Sequence, residues 1–227
     1  MATRAEHIVR EAARLFAERG YGATSIDEIG VAAGVSGPAV YWHFHNKQAV
    51  LAAILVDISE RLLDSGRRCV DEARGAADAL DRLIDQQVTF ALDEPDLIVV
   101  HSRELHHLDS ADAHRVRRLQ RQYVDLWVGV LALATDAPAN RIAAGVQATI
   151  GLINSTPHLT RVSRADLAPM LRRMALQALS GISSKTATAL FYKAMAEAEE
   201  ALREQPEAWA EYTAERDAWL NPDLGAP

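Results

Sequence analysis

The chain has 227 residues, of which 49% are hydrophobic and 24% charged, with a formal net charge of −7. This balance suits one or two globular domains with a real core, and the longest apolar run, Ala49 to Val56, is far too short to span a membrane. A single cysteine, Cys69, excludes an internal disulfide, and no Cys/His spacing resembles a structural zinc site. The opening stretch MATRAEHIVREAARLF is amphipathic and lacks the apolar core of a signal peptide, so the expected compartment is the cytoplasm. Charge is unevenly spread. Residues 1–50 hold five basic and five acidic groups, whereas residues 183–227 hold four basic and nine acidic ones. The acidity therefore belongs mostly to the C-terminal segment, and the N-terminal segment is neutral.

Taken in chain order, the periodicity predicts an all-α fold. The first helix runs from about Arg4 to Arg19, with Ile8, Ala12, Leu15 and Phe16 on one face, and Gly20 and Gly22 end it. Thr24 and Ser25 are alternative N-caps of a short second helix, each followed three residues later by an acid, Asp27 or Glu28. Gly34 stops that helix, Ser36 caps a third through the N–H of Ala39, and Pro38 fits its first turn. Asn46 caps a fourth, from Lys47 to about Gly66. Longer helices follow at roughly 75–93, 96–108, 111–134, 138–156 and 164–181. Asp166 is an alternative cap for the last, which would bring Pro169 into its first turn.

Two capped short helices joined by a glycine-containing turn form the helix-turn-helix pattern, here at about residues 25–44. Val40 and Phe44, four apart, share a face with Val35 just before the helix, and they can hold the third helix to the first two. Gly37, Ala39, Tyr41, Trp42 and His43 then fall largely outside. The small residues allow close approach to a groove floor. Tyr41 and His43 supply polar donors, and Trp42 an indole N–H and a flat apolar face. Lys47 offers an ammonium to a phosphate.

The stretch from Phe16 to Leu55 resembles the DNA-binding domain of the TetR family of bacterial transcriptional regulators. The matching residues are Phe16, Gly20, Tyr21, Thr24, Ile29, Ala33, Gly34, Val35, Ser36, Tyr41, His43, Phe44 and Lys47. The resemblance implies an N-terminal three-helix DNA-binding domain (2–62), a helical ligand-binding and dimerisation domain (63–182), and leaves 183–227 as an acidic helical extension. It further implies a homodimer on a double-stranded, palindromic operator, acting as a repressor released by a small-molecule effector. The DNA-facing set is then Thr24, Ser25, Ser36, Gly37, Pro38, Ala39, Tyr41, Trp42, His43 and Lys47. Two positions depart from the family pattern. The arm before the first helix carries only Arg4, so a shallower salt dependence is expected, and Gln48 stands where an acid is common.

In the body, the stretches from Arg103 to Leu131 and from Ile150 to Leu159 resemble the ligand domains of actinobacterial members that respond to lipids or acyl-CoA. Val100, Leu105, Trp127, Leu131 and Leu152 supply apolar lining and Arg103, Tyr123 and Asn154 polar anchors, the usual make-up of a ligand site. The expected effector is small and largely apolar, such as a fatty acyl-CoA or another lipid-related molecule. Arg115, Arg117, Arg118 and Arg121 form a basic row that could receive a phosphate but reads better as a solvated helix face. Ala144, Ala148, Gly151 and Ser155, with Leu167, Leu171, Met174 and Ala178, suit a dimer bundle of two helices per subunit. In the extension, Phe191, Met195, Ala198 and Leu202 make a heptad-like seam, followed by Trp209, Tyr212 and Trp219. The rival class is a metal-dependent or lipid-handling helical-bundle enzyme. Glu104 and His107 have the carboxylate–histidine spacing of such sites, but no second copy faces them, and no phosphate loop or nucleophile elbow occurs. No metal, no cofactor, no catalytic residue and no membrane partner are expected.

Overall fold

The computed structural model describes residues 3–159 and 161–183. Nine α-helices fill these residues, joined by short turns, with no strand among them. The expected features of the acidic extension beyond residue 183 lie outside the described residues.

Helix α1 (Arg4–Arg19) starts at Thr3, whose hydroxyl accepts from the Glu6 N–H while the Glu6 carboxylate accepts from the Thr3 N–H. This reciprocal pair satisfies two otherwise orphaned donors. Gly20 closes the helix at φ 84°, a conformation that suits glycine. Helix α2 (Ile26–Ala32) is capped in the same reciprocal way by Ser25 and Glu28, so Ser25, not Thr24, is its cap. Helix α3 (Gly37–Tyr41) is a single short turn and a half, begun by Ser36 through the Ala39 N–H.

Helix α4 (Lys47–Asp71) begins at Asn46 and is the longest element. It passes Gly66 without stopping. Gly66 is buried where α4 meets α7, and a Cβ there would come within 2.9 Å of Leu126 Cδ2 and Tyr123 Cε2. This glycine is a close-approach residue rather than a terminator. The expected boundary between residues 62 and 63 falls inside α4, which crosses it unbroken.

Helices α5 (Ala76–Asp93) and α6 (Pro95–Arg103) follow. The sixth helix is shorter than its periodicity predicts. It gives way to a 3-10 turn at Leu105–His107, where the His107 N–H reaches the Glu104 carbonyl and the Glu104 side chain turns inward. Helix α7 (Ser110–Ala132) is capped by Asp109, and α8 (Ala139–Ile153) follows Pro138. Helix α9 (Arg164–Ser180) is capped by Ser163, not by Asp166, so Pro169 lies within it rather than in its first turn. Pro169 and Ala165, whose carbonyl loses its helical partner, are both exposed, so water can satisfy the freed oxygen.

The packing is continuous from end to end. Helix α1 lies on α4 and α6, α4 on α5 and α7, and α9 on α5 and α8. Leu51, Leu55 and Ile58 of α4 belong to the same buried cluster as Phe16 of the first helix and Trp127 of the seventh. No helix among the described residues is long and apolar enough to cross a membrane.

Candidate nucleic-acid interface and effector cavity

The helix-turn-helix is assembled from inside. Val40 is fully buried, Phe44 and Val35 pack against the same core, and Ile29 of α2 closes it. Gly30 makes the crossing possible. A Cβ at this position would lie 3.0 Å from the Val35 carbonyl oxygen and 3.1 Å from the Gly37 nitrogen, both backbone atoms that cannot turn aside. Gly37 is also buried, facing Asp27 on α2. It therefore serves contact between the two short helices, not approach to a groove floor. Thr24 is 2% exposed and spends its hydroxyl on the Gly20 carbonyl, 3.0 Å away, so it too is removed from the expected DNA-facing set. Glu28 holds two hydrogen bonds from Ser25, and these lower its carboxyl pKa.

Lys47 has a different part from the one its charge suggests. Its Nζ donates to the carbonyl oxygens of Tyr21 and Thr24, each at 2.7 Å, and sits 4.3 Å from the centre of the Tyr21 ring. The ammonium thus ties the start of α4 to the turn between α1 and α2, with two of its three donors occupied. What remains at the surface is narrower and more aromatic. Tyr41 is 54% exposed and Trp42 85% exposed, and Ser25, Ser36, Pro38 and His43 are exposed with them, while Ala39 is half-buried. Tyr41 shares a shallow recess with Ala23 and Ser25. Trp42 and His43 lie just past the end of α3, in the turn. Val31 on α2, 79% exposed, joins this surface and has no signal in the helical pattern, because an outward valine is indistinguishable from a core one in sequence.

The body contains a cavity of about 210 Å³ between α4, α5, α6, α7 and α8. Its apolar wall includes Ile58, Leu62, Phe90, Ile98, Val124 and Ile150. Its polar side is a hydrogen-bonded chain. The single Tyr123 hydroxyl proton is shared between two acceptors, Gln87 Oε1 at 2.8 Å and Gln86 Oε1 at 3.0 Å, and Gln87 Nε2 donates to Asn154 Oδ1 at 2.8 Å. Burial pushes the Tyr123 phenol strongly up and the His101 imidazole down, so both are neutral at physiological pH. His101 pairs with Gln120 on the same wall. Next to Tyr123, the Trp127 indole N–H is buried and finds no acceptor at bonding geometry among the described residues.

Of the residues expected at an effector site, Tyr123 and Asn154 line this cavity. Val100, Trp127 and Leu131 are core, and Arg103 is exposed on the far side of α6, so none of these forms its wall. Leu105 and Leu152 are half-buried and also absent from it. Sequence missed Ser59, Gln87, His101 and Gln120. A lone polar residue in an amphipathic helix reads as surface, and only the neighbouring helices make it interior. The arginine row of α7 is solvent-facing, with Arg115 paired to Glu60 at 2.7 Å.

The expected dimer stripe divides similarly. Ala144, Ala148 and Gly151 on α8, with Met174 and Ala178 on α9, are exposed, and Ser155 is half-buried. Leu167 and Leu171 are 4% and 1% exposed and belong to the protomer's own core, so they are unavailable to a partner. They face inward because α9 needs its leucine stripe to close over α5 and α8. Glu104 and His107 approach each other at 3.4 Å, but no cluster of three metal-ligating side chains occurs among the described residues.

Two family models match the sequence. Residues 8–54 match the N-terminal domain of bacterial regulatory proteins of the tetR family, and residues 73–158 match a tetracyclin repressor-like C-terminal domain. The chain belongs to the TetR family of bacterial regulatory proteins. It is 28% identical over 121 residues to the HTH-type transcriptional repressor KstR2 of Rhodococcus jostii, covering 53% of this chain and 59% of that relative. The match therefore spans less than two thirds of the relative's own length. Among solved structures, a tetR-family regulatory protein from Rhodococcus superposes with a TM-score of 0.68 at 24% identity, covering 79% of this chain and 98% of the other. AibR, solved with isovaleryl coenzyme A and operator DNA, superposes with a TM-score of 0.65 at 19% identity, covering 76% and 97%. These likenesses establish the fold, and family membership sets aside the helical-bundle enzyme.

Proposed function

We propose that the chain is a homodimeric transcriptional repressor that binds a palindromic operator through residues 2–62 and leaves it when a small, largely apolar effector enters the body, residues 63–182. The observation that carries this reading is the exposure of Tyr41 and Trp42, at 54% and 85%, on a helix-turn-helix whose own core is closed by other residues. Ser25, Ser36, Pro38 and His43 surround them, with Ala39 at the edge. A single reader of this size covers few base pairs, so two copies on half-sites spaced by about 34–36 Å or a multiple supply the missing specificity. The exposed small-residue face of α8 and α9 supports the pairing. AibR carries a ligand and DNA on one fold, which supports a two-ended role here. Effector and operator then compete for two conformations of one chain.

Selection from a random duplex library, followed by binding titration on the recovered sequence, tests the reading. Recovered sites should be inverted repeats. Tyr41→Ala and Trp42→Ala should each weaken binding by about ten- to a hundredfold with helical content unchanged. Wild-type affinity in both variants would sink the assignment of this surface.

A further inference from the structure

We infer that the effector is an uncharged, compact molecule, about one substituted ring in size, bearing a single hydroxyl or carbonyl group. This rests on the reading of the cavity as the effector site. Three features of the wall carry it.

The first is charge. The polar side is made of Ser59, Gln87, His101, Gln120, Tyr123 and Asn154, and no Asp, Glu, Lys or Arg lines the wall among the described residues. An ionised carboxylate or phosphate buried here would meet no cation, and an unpaired buried charge is strongly disfavoured. His101 does not supply one, because its enclosure favours the neutral ring. The basic row on α7 does not supply one either, since none of its arginines reaches the wall.

The second feature is the hydrogen-bond inventory. The Tyr123 proton is committed to the two glutamine carbonyls, one Gln87 N–H to Asn154, and the Ser59 proton to the Leu55 carbonyl. The amide N–H groups of Asn154 and the second N–H of Gln87 are not used in these bonds. Amide donors beside hydroxyl oxygens match one alcohol, phenol or ketone group, which exchanges hydrogen bonds without bringing charge.

The third feature is size. An engineered apolar cavity of roughly 150 Å³ holds benzene. The 210 Å³ here matches a ring with a short substituent.

Calorimetric titration of the full chain with 4-ethylphenol, 4-ethylcyclohexanone, ethylbenzene, 4-ethylbenzoate and hexanoyl-coenzyme A tests the inference, each repeated on Ile150→Trp to fill the cavity. The phenol or the ketone should bind at least about a hundredfold more tightly than the benzoate and the thioester. Ile150→Trp should abolish that binding, and Asn154→Leu should reduce it about tenfold while leaving ethylbenzene unchanged. Tight binding of the benzoate or thioester that disappears in Ile150→Trp would leave the cavity as the effector site and overturn its neutrality. Binding of any probe that survives Ile150→Trp, with Asn154→Leu equally silent, would instead overturn the cavity as the site. Failure of both neutral polar probes at about millimolar concentration, or equal affinity for ethylbenzene, would overturn the ligand class.

Discussion

At the level of single residues, Lys47 shows how charge misleads when its partners are unseen. Lysine at the start of a helix beside a DNA-reading unit suggests a phosphate contact. The folded chain instead gives the ammonium to the carbonyls of Tyr21 and Thr24. Lys47→Met should therefore lower stability by about 1–2 kcal/mol, the scale for losing hydrogen bonds from a charged donor at a half-exposed site. The slope of log affinity against log salt should stay unchanged. A true phosphate contact would lower that slope by about 0.9, so the two roles separate in one salt titration. Three caps were readable in advance because a cap acts within four residues of itself. Ser25 with Glu28, Ser36 with Ala39, and Asn46 with Ala49 all pair locally. Gly30, Gly37 and Gly66 were not readable as contact residues. What a glycine makes room for belongs to another element, and the sequence places no element beside it.

At the level of elements, helix identity followed from periodicity, and helix ends followed where a cap was local. The sixth helix ended early because Glu104 turns inward under the α1–α2 turn, near Gly20, a tertiary event with no local signature. Near it, His107 stacks on Tyr21 at 4.6 Å, and Gln48 donates to the His107 carbonyl at 2.8 Å, so the 3-10 turn between α6 and α7 is fastened to the helix-turn-helix unit and the start of α4. The cavity was legible only at two residues for the same reason. Tyr123 and Asn154 sit in apolar stretches and invite notice, whereas Gln87, His101 and Gln120 become interior only when α5, α6 and α7 converge. His101 also sets a pH dependence. Its folded-state pKa lies below the ordinary imidazole value of 6.5, so below about pH 6.5 the unfolded chain takes up a proton that the folded chain resists. Stability should fall as pH drops through that range, by no more than about 1.4 kcal/mol per pH unit from this group, until the folded ring also titrates. His101→Gln should flatten that part of the profile in denaturant titrations at about pH 5 to 7, the imidazole range. An unchanged slope would remove His101 from the account.

At the level of the whole molecule, the proposed function needs a second copy. The face offered by Ala144, Ala148, Gly151, Met174 and Ala178 is exposed in the protomer and small enough for close helix approach. Ala148→Arg should convert a dimer into a monomer by sedimentation and remove operator binding, with protomer stability held within about 0.5 kcal/mol because the site is outside the core. A dimer that persists would place the interface elsewhere. The net charge of −7 is no obstacle to this role, because the first 50 residues are neutral. Lys47 is the single Lys or Arg between residues 20 and 50, and its ammonium is turned inward, so contacts from this surface should rest more on shape and apolar contact than on charge.

Helix α4 gives the molecule a mechanical advantage. It carries cavity wall at Ile58, Ser59 and Leu62, and it grips the reader at Lys47. The arm from Ile58 to Lys47 is eleven rises long, roughly 16 Å. Pivoting this rod by about 5° at the cavity would sweep its gripping end through about 1.4 Å, with the same arc mirrored in the second protomer. The two displacements would alter the distance between readers by as much as about 3 Å, a fraction of the groove repeat large enough to put both copies out of register with one face of the duplex.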